Sequence, residues 1–151
     1  MKKIFLSLAA VALMGISAFA NGNDEIVNQK TLAAFKSDFT NASHATWEQK
    51  QGFTKATFSL NGQVLCAYYD YNGELQAVVR NICSDQLPIA LLTTLKKDYD
   101  GFWITDLFEI SVDNQTTYYV TIENSDKKIV LKSESAAYWN VFSKAKKTVA
   151  E

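Results

Sequence analysis

The chain has 151 residues, with 15 Lys and Arg against 16 Asp and Glu, a formal net charge of -1. A near-neutral chain with no basic patch excludes the electrostatic footprint of a nucleic-acid binder. A single histidine, His44, excludes a metal site built from several imidazoles.

The first segment reads as an export signal. Met1-Lys2-Lys3 is a short basic start, Ile4 to Ile16 is apolar, and Ala18-Phe19-Ala20 is an A-x-A cleavage site. The apolar run falls short of the roughly 20 residues needed to span a bilayer. Cleavage after Ala20 is expected, leaving a chain that is periplasmic or secreted and not membrane-embedded. Because residues 1–20 carry two lysines and no acid, the net charge moves from -1 to -3 on cleavage. The remainder is long enough for one domain with a real core.

After a polar start at 21–25, Asn28 is a candidate N-cap. Leu32, Phe35 and Phe39 then recur at helical spacing, predicting a helix over 28–40. His44 to Lys50 alternates weakly around Trp47 and predicts an exposed first strand. Phe53 to Val79 carries two Asn-Gly pairs, Asn61-Gly62 and Asn72-Gly73, each a strong hairpin signal. Two-residue turns there would pair Leu60 with Gln63, Ala56 with Ala67, Cys66 with Val79 and Tyr69 with Gln76.

Alternation then assigns Ala56, Phe58, Leu60, Leu65, Ala67, Tyr69 and Val78 to one face. Phe53, Val64, Cys66, Tyr68, Leu75, Ala77 and Val79 fall on the other. One face must pack on a helix. The same register separates Cys66 from Cys83 by a ladder distance of about 13 Å, beyond the about 7 Å that a disulfide tolerates between Cα atoms. Two reduced, buried thiols are expected, although a slipped register would permit a bridge.

Ser84 is a candidate N-cap for a second helix, with Pro88 in its first turn and Leu87, Leu91, Leu92, Leu95 and Tyr99 on its apolar side. Asp100-Gly101 ends it. Strands are predicted at 103–112, 116–123 and 127–133, with turns at 113–115 and 124–126. The apolar stretch 136–142 fits a last strand or a short helix, and the basic tail 144–151 is expected to fray.

The halves echo each other. Phe35-Lys36-Ser37-Asp38-Phe39 matches Leu95-Lys96-Lys97-Asp98-Tyr99, and Thr54 to Gly62 can be laid against Thr116 to Asn124. This repeat favours a strand at 136–142. It also predicts an α+β fold: tandem helix-plus-antiparallel-meander repeats forming one continuous sheet with two helices on one face, the opposite face being left open. The domain layout is then a signal peptide at 1–20, one domain at 21–143 with halves at 28–83 and 84–143, and a tail at 144–151.

Catalytic signatures are missing from the sequence. There is no nucleophile elbow, phosphate loop, dinucleotide fingerprint or H-E-x-x-H, and neither cysteine sits in a reactive-thiol pattern around His44. Asp98, Asp100, Asp106 and Asp113 lack the spacing and distal Glu of a calcium loop. No enzyme activity, cofactor or metal is expected.

Aromatic residues are the remaining signal, because Tyr and Trp combine contact area with a polar handle. Tyr68, Tyr69, Tyr71, Trp103, Tyr118 and Tyr119 are the candidate partner-binding residues. The adjacent pairs Tyr68-Tyr69 and Tyr118-Tyr119 should each put one ring on each face. The expected function is an exported, non-enzymatic binding or inhibitor-like module that meets another exported or envelope protein through the open sheet face. The alternative is a small-ligand or carbohydrate binder using the same face, and a structural envelope protein with no defined pocket is a third.

Several motifs in this order carry a resemblance: Ala45-Thr46-Trp47, Tyr69-Asp70-Tyr71-Asn72-Gly73, Gln86-Leu87-Pro88, and Lys97-Asp98-Tyr99-Asp100-Gly101. Over about Thr31 to Phe142 the chain resembles the PepSY-like exported proteins common in Bacteroidetes, which share the fold of the beta-lactamase inhibitor protein (BLIP-like). The resemblance implies that fold and a periplasmic or secreted location. It supplies no molecular function and no functional residue.

Overall fold

A computed structural model of the chain describes residues 27–147. The predicted signal segment, its cleavage site and residues 148–151 of the expected tail lie outside the described residues.

Among the described residues, two helices and eight strands follow in order: α1 (Gln29–Asp38), β1 (Ser43–Lys50), β2 (Phe53–Leu60), β3 (Gln63–Tyr69), β4 (Leu75–Asn81), a 3-10 turn (Ser84–Gln86), α2 (Ile89–Asp98), β5 (Trp103–Val112), β6 (Gln115–Glu123), β7 (Lys127–Ser133) and β8 (Asn140–Lys146). The strands form one open antiparallel sheet in the order β1 to β8, each paired with its chain neighbours. Each half is thus one helix followed by a four-stranded meander, as the internal repeat predicts.

The two helices are built alike. Asn28 caps α1, its Oδ1 accepting the Lys30 N–H at 2.9 Å. Phe39 N–H donates back to the Phe35 carbonyl at 2.9 Å, and Tyr99 N–H to that of Leu95 at 3.1 Å. Helix α2 starts later than Ser84. Leu87 stands before Pro88 and is extended at ψ 147°, because the proline ring disfavours helical backbone in the residue before it. The stretch from Ser84 is therefore a 3-10 turn, closed by the Gln86 side chain on the Cys83 N–H at 2.8 Å.

The first Asn-Gly turn is as expected: Asn61 and Gly62 both have positive φ, and Leu60 pairs with Gln63. The second differs. Only Gly73 of that pair has positive φ, and Tyr69 faces Leu75 rather than Gln76, across a register shift. Asp70 causes this. Its Oδ1 accepts the N–H groups of Asn72 and Glu74 at 2.8 and 2.9 Å, which holds a longer loop than a two-residue turn. Gly73 also lies under α1, where an added Cβ would stand 3.0 Å from the Lys30 and Thr31 backbone. In the second half the turn is two residues, Asp113-Asn114, both at positive φ, so β6 begins at Gln115.

The last strand also departs from expectation. Positions 136–139 are not strand; Trp139 instead donates its Nε1–H to the Leu91 carbonyl of α2 at 3.0 Å. The strand follows at Asn140–Lys146. Lys144 to Lys146 therefore belong to the sheet edge and not to a frayed tail, and Lys147 Nζ meets Glu123 at 2.6 Å.

The helix side holds two separate cores. Phe35, Ala56, Phe58, Ala67 and Tyr69 pack under α1. Leu87, Leu91 and Leu95 pack on Leu107, Val120, Ile122, Ile129 and Leu131 under α2. Between them lies a polar seam. Arg80 Nε donates to Glu109 Oε1 at 2.6 Å and Arg80 Nη1 to Gln63 Oε1 at 2.8 Å, across the β4–β5 junction where the halves meet.

Candidate functional site

The face turned away from the helices carries a third apolar cluster. Strand alternation places Cys66 and Tyr68 of β3, Ala77 and Val79 of β4, Phe108 and Ile110 of β5, Tyr119 of β6 and Val130 of β7 on it, with Phe53 and Val112 packed alongside. Among the described residues, neither helix contributes to it. Unlike the two helix-side cores, this cluster draws on both halves.

Rings organise the strip. Phe53 meets Tyr68 edge-on at 5.5 Å, Phe108 stacks on Tyr119 at 5.2 Å with 10° between planes, and Phe142 of β8 meets Tyr119 edge-on at 5.6 Å. Each tyrosine has a lysine directly across the ladder. Lys55 pairs with Tyr68 in register and bonds Glu48 at 3.0 Å. Lys132 pairs with Tyr119 and bonds Glu134 at 2.6 Å. An apolar strip is thus bracketed on both sides by a Lys–Glu pair. Burial pushes the Tyr68 hydroxyl above its ordinary pKa, with Cys66 and Glu48 adding to the shift. Burial raises that of Tyr119 too, against the opposing pull of Lys132. Both phenols stay neutral at physiological pH. Val64 and Phe142, at 56% and 38% exposure, are the accessible apolar rim.

The six aromatic candidates separate accordingly. Tyr68 and Tyr119 share the helix-free face. Their neighbours Tyr69 and Tyr118 point to the helix side, one ring per face in each pair. Tyr69 is fully buried and donates its hydroxyl to Asp38 Oδ2 at 3.1 Å, so it serves the α1 core and not a surface. Tyr118 packs against the α2 core. Tyr71 sits in the β3–β4 loop, where its hydroxyl accepts the Gly52 N–H at 2.6 Å. Trp103 stands at the start of β5 under the Lys147 ammonium, 5.2 Å from its ring centre. The structure therefore does not gather the six into one platform. Phe53, Phe108, Val130, Lys55 and Lys132, absent from that set, complete the face. Counting back from a two-residue Asp113-Asn114 turn would have placed Phe108 opposite Tyr119.

Both cysteines are free thiols. Cys66 is buried in the strip as expected, but Cys83 is exposed, because it sits where β4 leaves the sheet for the 3-10 turn. Among the described residues no group of three or more His, Cys, Asp or Glu side chains is placed to hold a metal. A depression of about 450 Å³ beside the end of α1 is lined by Asp38, Phe39, Val78 and Ser111 among others, on the helix side of the sheet.

No family model matches the chain, and no curated protein matches it. Solved structures do. A BLIP-like protein from Bacteroides fragilis is 23% identical, with a TM-score of 0.68 over 82% of this chain and 89% of its own. A DUF2874 family protein from Bacteroides ovatus is 14% identical, with a TM-score of 0.71 over 81% and 89%. A Bacteroides eggerthii protein, described by inference as periplasmic, is 12% identical, with a TM-score of 0.69 over 81% and 90%. At these identities the likeness is one of fold. Two helices on one face of a sequential eight-stranded sheet are the BLIP-like α+β fold, and this chain has it.

Proposed function

We propose that this chain is a non-enzymatic module of the cell envelope or its exterior that binds another exported protein through the helix-free sheet face. The observation that carries this reading is the apolar strip from β3 to β7, built by both halves and bracketed by the Lys55–Glu48 and Lys132–Glu134 pairs. An apolar, aromatic centre with a charged rim is the composition of a protein-recognition surface. Tyr68 and Tyr119 supply its two phenols. The export-type N-terminus and the periplasmic description of one fold neighbour support the location.

Val64 and Phe142 give the cleanest test, because they lie on this face and are exposed. Residues 21–151 are used as bait on the envelope fraction of the source cell, beside Val64→Asp and Phe142→Asp baits of equal thermal stability. One stoichiometric protein held by the natural chain and lost from both variants is the expected result. A prey list unaffected by either substitution would overturn the assignment of the face.

A further inference from the structure

The C-terminal end of α2 and the sheet edge beside it form a cavity of about 370 Å³, with Tyr99, Phe102 and Ile129 on its apolar side and Lys127, Lys144 and Lys146 on its charged side. That volume falls within the about 300–1,000 Å³ of small-molecule sites. Register brings the lysines together. Ile129 belongs to the α2 core, so alternation puts Lys127 on the same, helix side of β7. Lys146 stands directly opposite Lys127 across the ladder, and Lys144 opposite Ile129. Directly opposed Cβ atoms are about 5 Å apart and diagonal ones about 7 Å, so three flexible ammonium groups can close on one point. Lys127 is far from the other two in the chain, and no run of charge marks the group.

This group is electrostatically unbalanced. Like charges directly opposite each other in a ladder are destabilising. Among the described residues, none of the three ammonium groups makes an ion pair or a hydrogen bond. Their chain neighbours behave differently: Lys128 and Lys147, on the helix-free side, meet Glu123 at 3.4 and 2.6 Å. The carbonyl end of α2 favours cations nearby, but Lys96 and Lys97 already occupy its last turn. Asp98 is the one described acid lining the cavity. Three lysines less one aspartate leave a local excess of two positive charges.

We infer that this cavity is an anion site whose ligand is a phosphate monoester carried on an apolar or planar body. Such a phosphate carries about -1.5 to -2 charge at pH 7 and offsets the excess, which a single carboxylate does not. Lysines supply point charges for its oxygens. Tyr99 and Phe102, edge to face at 6.2 Å and 86°, supply a wall for the body. The site lies on the helix side, apart from the sheet-face strip, and does not depend on the partner proposed there.

The full chain is titrated with phenyl phosphate, and with inorganic phosphate and benzyl alcohol for comparison, and amide shifts are followed by NMR. Saturable shifts should centre on Phe102, Ile129 and Lys144, and phenyl phosphate should bind about tenfold more tightly than either smaller probe. Lys144→Gln with Lys146→Gln should weaken it by about tenfold or more; Lys127→Gln is a second variant of the same kind. Lys128→Gln with Lys147→Gln removes the same charge from the other side and should leave binding unchanged. Thermal melts confirm that each variant is folded. The source of the ester is read by co-sedimentation with phosphatidylcholine vesicles, with and without phosphatidic acid. All variants share the natural N-terminal segment, so a difference between them reports the lysines. Binding to phosphatidic acid that is lost with Lys144 and Lys146 assigns a lipid headgroup, and phenyl phosphate binding without it assigns a soluble ester. Equal losses in the two double variants would overturn the site, as would no saturable shift below about 10 mM. Inorganic phosphate bound as tightly as phenyl phosphate would overturn the role of the rings.

Discussion

Tyr69 offers the sharpest test of how the two faces divide the work. Its ring is fully buried under α1, and its hydroxyl donates to Asp38 Oδ2 at 3.1 Å, tying the end of that helix to β3. Tyr69→Phe keeps the ring and deletes this one bond. A buried hydrogen bond to a carboxylate that is itself partly solvated is worth about 1 kcal/mol. For a domain of this size that lowers Tm by about 4 °C. Tyr69→Ala also empties a ring-sized space and should cost about 3–5 kcal/mol. Chemical denaturation of the natural chain, Tyr69→Phe, Asp38→Ala and the double variant closes a thermodynamic cycle, and the expected coupling is about 1 kcal/mol. If Tyr69→Phe changes stability by less than about 0.3 kcal/mol and the cycle shows no coupling, the bond does not tie α1 to the sheet.

Two further outcomes follow from buried polar groups. Thr31 occupies in α1 the place that Leu91 takes in α2, is 1% exposed, and its Oγ1 has no hydrogen-bond partner; Thr31→Val should stabilise by about 1 kcal/mol in denaturant titrations, because it removes an unsatisfied hydroxyl. Burial holds the Asp106 carboxyl above its ordinary pKa, against the pull of the Leu107 N–H and Lys128. The folded state then binds the proton more tightly than the unfolded chain, so this group loses stability as pH rises from the ordinary carboxylate value through its raised one. Asp106→Asn should therefore raise Tm at pH 7, and the gain should vanish below the ordinary value of 3.8.

Much of the architecture was legible because turn chemistry sets register. Asn61-Gly62 fixed the Ala56–Ala67 relation, and strand alternation from there put Tyr68 and Tyr69 on opposite faces. The repeat of Asp38-Phe39 in Asp98-Tyr99 marked both helix ends. What stayed hidden depended on tertiary contacts. Asp70 rearranged the second turn through its own carboxylate. Trp139 reached for the Leu91 carbonyl and delayed β8, which no local pattern signals. The candidate face suffered most: adjacent tyrosines show that one ring of each pair must face either way, but not which. Only the pairing of Phe108 with Tyr119 settles that Tyr118, and not its neighbour, belongs to the helix side.

A sequential sheet that never closes has two different ends. Among the described residues, β1 and β8 are each paired on one side only, and the two edges are not alike. Were β1 of one molecule to pair with β8 of the next, each addition would leave the same two edges free, and growth would continue as a fibre rather than stop at a dimer. The edges carry obstacles to this. Register slips between Ser43 and Thr46 in β1 and beside Val141 in β8, and Lys144 and Lys146 put charge along the second edge. Lysines along β8 thus place like charge where a second sheet edge would have to pair, and replacing them with apolar residues should favour edge-to-edge association, read as a rise in sedimentation or light scattering.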